Sequence, residues 1–83
     1  MSYQVFIRKS AIKSLKTIPD PYYSSIKSAI LQLGQNPRPR GYIKLKNRKA
    51  FRIRVSDYRI IYEINESTSI IDIIAIGHRQ SIY

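Results

Sequence analysis

Cysteine is absent from this chain of 83 residues, which excludes disulfide staples and thiolate metal sites. Histidine occurs once and carboxylates number five, so a metal cage built from protein ligands is not expected. No apolar run approaches the roughly 20 residues of a membrane span. The first residues, Met1-Ser2-Tyr3-Gln4, lack the apolar core of a signal peptide, so a cytoplasmic protein with no membrane partner is expected. Glycine is scarce and scattered, at Gly34, Gly41 and Gly77. There is no glycine-rich phosphate loop and no nucleophile–base–acid triplet, which argues against nucleotide-driven or covalent catalysis. No cofactor is expected.

What remains is one small domain with a hydrophobic fraction of 43%, enough for a modest core and too much for a disordered basic tail. Its charge is lopsided: 15 Lys and Arg against 5 Asp and Glu give +10. Such a field concentrates polyanions, nucleic acid first and an acidic protein partner second. The charge is also concentrated along the chain. Lys44, Lys46, Arg48, Lys49, Arg52, Arg54 and Arg59 fall within 16 residues that hold one acid, Asp57.

Residues 3–7 read as a strand by their alternation. Ser10 is placed to cap a short helix over 11–17. Pro19-Asp20-Pro21 breaks it, with Asp20 as the next N-cap and Pro21 as the first helical residue. Tyr22, Ile26, Ala29, Ile30 and Leu33 then form one apolar stripe. Gly34 suits a left-handed position past the helix end. The two helices make an antiparallel hairpin, and residues 36–41 form a loop. Three strands follow, at 51–55, 58–64 and 70–76, with turns at Ser56-Asp57 and at 65–69. The last strand is apolar on both faces, which marks it as interior. The expected architecture is α+β: a strand, the helical hairpin and a three-stranded antiparallel meander, forming one four-stranded sheet with the first strand beside the last.

The first turn sets a register. With a two-residue turn, Val55 faces Tyr58, Arg54 faces Arg59 and Ile53 faces Ile60. Phe51, Ile53, Val55, Tyr58, Ile60, Tyr62 and Ile64 then face the helices, and Arg52, Arg54 and Arg59 face the other way. Like charges directly opposite cost stability, a cost that an anion between them would remove. With a three-residue second turn, Asn65 faces Ser69 and Arg59 faces Ala75. Ala75 and Gly77 then give a low floor walled by Arg54, Arg59 and Arg79, a shape suited to phosphate, whose oxygens match the guanidinium fork. In that register Ile61, Ile71 and Ile73 make an apolar strip beside the charges. Glu63 shares the face and His78 points to the helix side, as a rim residue or a possible catalytic one.

RNA carries its own nucleophile, the 2′-hydroxyl. An enzyme need only align it, stabilise the added charge and assist proton transfer. Clustered arginines can do much of this, and they favour the phenolate of a nearby tyrosine.

Four segments in order carry a family likeness: Asn36-Pro-Arg-Pro-Arg-Gly41 with Lys44-Leu45, then Phe51-Arg-Ile-Arg-Val55, then Ser56-Asp-Tyr-Arg-Ile-Ile-Tyr62, and last Ile76-Gly-His-Arg-Gln-Ser-Ile-Tyr83. In these the chain resembles the RelE/ParE superfamily of toxins, on the RelE side. The resemblance implies a RelE-like fold and the toxin of a toxin–antitoxin pair, one that cleaves mRNA on the ribosome by 2′-hydroxyl attack without a metal. It implies that Arg52 and Arg54 hold RNA, joined by Lys44 and Lys46 of the basic run. Arg59 and Arg79 would stabilise the phosphate, and Tyr83 would serve as general base. The general acid stays open between Arg79 and solvent, because some relatives carry lysines where this chain has Arg52 and Arg54. The implied partners are the ribosome with its mRNA and a cognate antitoxin whose acidic or amphipathic segment covers the apolar strip and the arginines together. Two other readings stand beside this one: a ParE-like toxin that binds DNA gyrase, and a non-catalytic basic RNA-binding module.

Overall fold

The computed structural model describes residues 2–46 and 48–78. Their order is β1 (Gln4–Ile7), α1 (Lys9–Lys16), α2 (Tyr22–Leu33), β2 (Ile43–Lys44), β3 (Phe51–Val55), β4 (Tyr58–Asn65) and β5 (Ile70–His78). The sheet runs β1-β5-β4-β3-β2. β1 lies parallel to β5, and the other neighbours are antiparallel. The class and the place of the first strand beside the last are as expected, but the sheet has five strands rather than four. The additional strand, β2, is two residues long and pairs Ile43 with Arg52 and Lys44 with Phe51. The Leu45 amide continues the contact by donating to the Ala50 carbonyl at 2.9 Å.

Both helices pack on one face of the sheet. Ala11, Leu15 and Ile18 from the first helical segment, and Ile26, Ile30 and Leu33 from α2, meet Ile53, Ile60, Tyr62, Ile71, Ile73 and Ile76 in one core cluster. Burying a side chain of this kind is worth about 1.5–3 kcal/mol, so this face is where the fold gains its stability.

Local details correct several expectations. α1 begins at Lys9, with Arg8 at the N-cap position. Ser10 is inside the first turn, where its carbonyl accepts from the Ser14 hydroxyl at 3.1 Å. The start is set by Arg8, whose amide donates to Ile73 at 3.0 Å as strand pairing ends. Its guanidinium donates to Asp72 Oδ2 at 3.0 and 3.2 Å. At α2 the expected cap is displaced by one residue: Pro21 occupies the N-cap position. Asp20 still serves the helix start, accepting from the Ser24 amide at 3.1 Å and the Ser24 hydroxyl at 2.7 Å. Gly34 is right-handed, with φ −64°, not left-handed. Space is tight there, since a Cβ would stand 3.1 Å from the Tyr3 carbonyl oxygen and 3.2 Å from a Val5 methyl.

The β3–β4 register is as expected: Val55 opposite Tyr58, Arg54 opposite Arg59, Ile53 opposite Ile60. The β4–β5 register is not. Asn65 pairs with Ile70, so the turn is one residue longer than expected. Asn65 Oδ1 accepts from the Ser67 hydroxyl and the Thr68 amide, and Ser69 adopts φ 56°. A one-residue shift moves every side chain to the opposite face. Ile71 and Ile73 therefore lie fully buried in the core, not on the arginine face. A bulge at Ile74 follows, with Tyr62 opposite Ile73 but Ile61 opposite Ala75. The extra residue restores the original side, and Arg59 ends opposite Gly77 rather than Ala75.

Candidate nucleic-acid interface

The face away from the helices carries the charge. Arg52 on β3 is half-buried and stands beside Ile61 of β4, and Arg59 of β4, also half-buried, stands opposite Arg54. β2 raises a wall next to them. Together Ile43, Lys44, Leu45, Lys46, Arg48, Arg52, Arg59 and Ile61 line a cleft of about 590 Å³. Ile61 is only 5% exposed yet lies outside the main core cluster, so it forms an apolar floor under cationic side chains. Among the described residues, five cations and no acid line this cleft. Glu63, among the described residues, balances Arg48 at 3.8 Å.

The acids gather at the other end of the same face. Phe6, Glu63, Glu66 and Asp72 help line a second cleft of about 760 Å³, where Asp72 holds Arg8 at 3.0 Å. Glu66 accepts from the Tyr3 phenol at 3.2 Å and from Arg38 at 3.4 Å. Slight desolvation, followed by the Glu66 charge, pushes the Tyr3 phenol above its ordinary range. The sheet face is thus polarised, cationic along β2–β3–β4 and acidic where β5 begins beside β1.

The loop that delivers β2 is pinned from below. The Tyr62 phenol, in the core, donates to the Pro37 carbonyl at 2.7 Å. Burial pushes that phenol up to about 12, against the partial pull of the Arg38 charge. Arg38 in turn lies over the Phe51 ring, 5.6 Å from its centroid.

Among the anticipated site residues, Lys44, Lys46, Arg52 and Arg59 meet around one cleft. Arg54 pairs with Arg59 in register, but it lines a separate groove with Pro39, Arg40 and Gly41. This is the end of β3 that β2 does not cover. His78 is exposed on the helix side, edge-on to Tyr58 with ring centroids 5.6 Å apart. Tyr58 in turn packs on Tyr22. Arg79 and Tyr83 lie outside the described residues. The apolar strip reduces to Ile61, since Ile71 and Ile73 are in the core. Sequence reasoning missed the wall made by Ile43, Leu45 and Arg48. The signal was present in the alternation Ile43-Lys44-Leu45-Lys46, which reads as a strand with one charged face. Among the described residues no three of His, Asp or Glu stand close enough to share a metal ion.

Residues 5–83 match the family model described as the ParE toxin of the type II toxin–antitoxin system parDE. The chain belongs to the RelE/ParE superfamily of toxins. Within it the chain is RelE-like. It is 30% identical to a Methanocaldococcus jannaschii protein named as a candidate toxin, RelE1, over all of this chain and 97% of that one. A chain of the archaeal RelE–RelB complex from Pyrococcus horikoshii superposes with a TM-score of 0.86 at 31% identity, covering 98% of this chain and 99% of that one. A chain of the RelB–RelE complex from Methanococcus jannaschii gives 0.76 at 30% identity, covering 94% of each. The isolated E. coli RelE toxin shares the fold, with a TM-score of 0.81 at 19% identity over 93% of this chain and 84% of that one.

Proposed function

We propose that this RelE-like toxin is a ribosome-dependent mRNA endoribonuclease that cleaves by 2′-hydroxyl attack, needs no metal and stops translation. The observation that carries the proposal is the cleft in which Lys44, Lys46, Arg48, Arg52 and Arg59 surround the Ile61 floor with no acid among them. In this reading Lys44, Lys46 and Arg52 hold the RNA backbone as point charges and forks, and Arg54 continues the track from its own groove. Arg59 and Arg79 stabilise the charge that builds on the scissile phosphate. A preorganised donor of that kind contributes about 10²–10³-fold in rate. In this reading Tyr83 takes the 2′-hydroxyl proton. Proton return to the leaving 5′-oxygen falls to Arg79 or solvent. His78 faces Tyr58 rather than the cleft, which supports a rim role.

The complexes of RelE with RelB among the similar structures support a cognate antitoxin as partner. Its acidic or amphipathic segment would neutralise the cationic cleft and cover Ile61. A cytoplasmic site of action follows from the substrate, and no helix among the described residues is long and apolar enough to cross a membrane.

The test is primer extension on programmed ribosomes in the presence of EDTA, with naked mRNA in parallel. Cuts within A-site codons on ribosomes, and few on naked mRNA, are expected. The matching family model is that of a ParE toxin, which supports a second reading: binding to DNA gyrase without RNA cleavage. Gyrase-dependent DNA breaks from a folded protein that leaves mRNA intact would decide for it. RNA affinity with neither activity would leave a basic binding module.

A further inference from the structure

The cationic cleft is not the only basic surface. α1 turns Ala11 and Leu15 into the core, so it lies across the sheet from Arg52 and Arg59. Its outer side carries Lys9, Lys13 and Lys16, which with Ser10 and Ile12 line a shallow groove of about 510 Å³. None of the three lysines has an ion-pair partner among the described residues. Among the described residues no acid lines the groove, and the first turn of the helix has none. Lys13 and Lys16 suit the negative end of the helix dipole, but Lys9 sits at the positive end. Lys9 and Lys13, four residues apart, repel by about 0.2–0.5 kcal/mol. Helix stability therefore does not account for this lysine row.

We infer that the outer face of α1 is a second RNA-binding surface, one that docks on the phosphate backbone of paired RNA while the sheet face holds a single strand. The inference takes from the nuclease reading only that the partner is RNA. Charge complementarity selects a polyanion, and the lining selects the paired form. Single strands are held by stacking bases on aromatic rings, and among the described residues this groove has no aromatic side chain. Paired RNA is recognised by shape and by contacts to phosphate and 2′-hydroxyl, which three lysines along a rigid helix can supply. Lys9 and Lys16 are seven positions apart, about 10 Å along the axis, so the row is a line of charge rather than a point. Ile12, 38% exposed between them, gives the lysine stems an apolar surface to lie along.

The test compares the full chain with the triple variant Lys9→Gln, Lys13→Gln, Lys16→Gln. Glutamine is nearly as good a helix former as lysine, and circular dichroism checks that the variant is folded. Two probes are titrated by fluorescence anisotropy over a range of salt: a blunt RNA duplex of roughly 16 base pairs and an unstructured oligouridylate. For the variant, duplex affinity should fall about tenfold at physiological salt, and the slope of log affinity against log salt should become shallower by about 2–3. Oligouridylate affinity should change less than about twofold, since that strand is held on the other face. Unchanged duplex binding overturns the inference. So does an equal loss on both probes, which would mean a general effect of net charge. Because neither probe reads cleavage, an inactive nuclease with intact duplex discrimination would sink the nuclease reading alone.

Discussion

Arg59 and Tyr62 show how two faces of one strand divide the work. Arg59 spends its half-buried position on the cationic cleft, opposite the like charge of Arg54. A pair of that kind is destabilising by up to about 1 kcal/mol. Arg59→Ala should therefore leave stability within about 1 kcal/mol of wild type, since lost stem packing offsets relieved repulsion. A urea denaturation series would check this. Tyr62 does the opposite work. Its ring is fully buried, and its phenol ties the 36–41 loop to the sheet through Pro37. Tyr62→Phe should cost about 1 kcal/mol for the lost hydrogen bond. The raised phenol also has a pH signature. The folded state keeps its proton until about 12, while the unfolded phenol releases it near 10. Its contribution is thus complete below pH 10 and is lost as pH rises from 10 towards 12. In that window wild-type stability should fall more steeply than that of the phenylalanine variant, by at most about 1.4 kcal/mol per pH unit. Parallel slopes for the two proteins would refute this.

At the scale of elements, the β5 strand decides which residues the sheet presents to a partner. Four of the five strands, the helical hairpin and the β3–β4 register were legible because each rests on a local signal: alternation, a Pro-Asp-Pro break, a two-residue turn. The β4–β5 pairing was not, because the turn after Asn65 is closed by side-chain contacts to Ser67 and Thr68, and several loop lengths can satisfy those. Nor does an isoleucine-rich stretch announce a bulge, since Ile71, Ile73 and Ile74 are equally apolar and either parity fits. The error in the turn put Ile71 and Ile73 on the wrong face. The bulge then cancelled it for Ala75 and Gly77, which is why the floor near Arg59 was anticipated and the apolar strip was not. Deleting Ile74 should remove the bulge and leave Ile76 opposite Ile60 in the core and Gly77 opposite Arg59, because alternation then runs unbroken from Ile73 to Ala75. A retained cooperative thermal transition is the expected result, and its loss would contradict the register. Gly34 gives a milder test. Alanine is compatible with its φ of −64°, yet its Cβ would meet the Tyr3 carbonyl, and that residue's amide is itself held by Gly34 at 2.7 Å. Gly34→Ala should destabilise by about 1 kcal/mol in calorimetry, against the usual gain of about 0.4–1 kcal/mol for such a change in open space.

For the whole molecule, the net charge of +10 is arranged rather than spread. The sheet carries a cationic cleft at β2–β3–β4 and an acidic one at the start of β5, while α1 places a lysine row on the opposite side. A chain of this size buries a single core under one sheet face, which leaves the other face free to gather charge for binding. The cleft residues were partly legible, because the basic run and the β3–β4 turn place Arg52 and Arg59 together. The β2 wall was given no element, since two paired residues are too few for alternation to outweigh the surrounding prolines and charges.

The central claim is that the cationic sheet face acts on a phosphate rather than merely attracting it. The direct measurement is the single-turnover cleavage rate on programmed ribosomes for wild type and Arg59→Ala, with ribosome affinity measured alongside. The account predicts a rate lower by about 10²–10³-fold and an affinity within about tenfold of wild type, as for the loss of one or two phosphate contacts. A wild-type rate from the folded variant, bound to ribosomes as tightly as its parent, would contradict it.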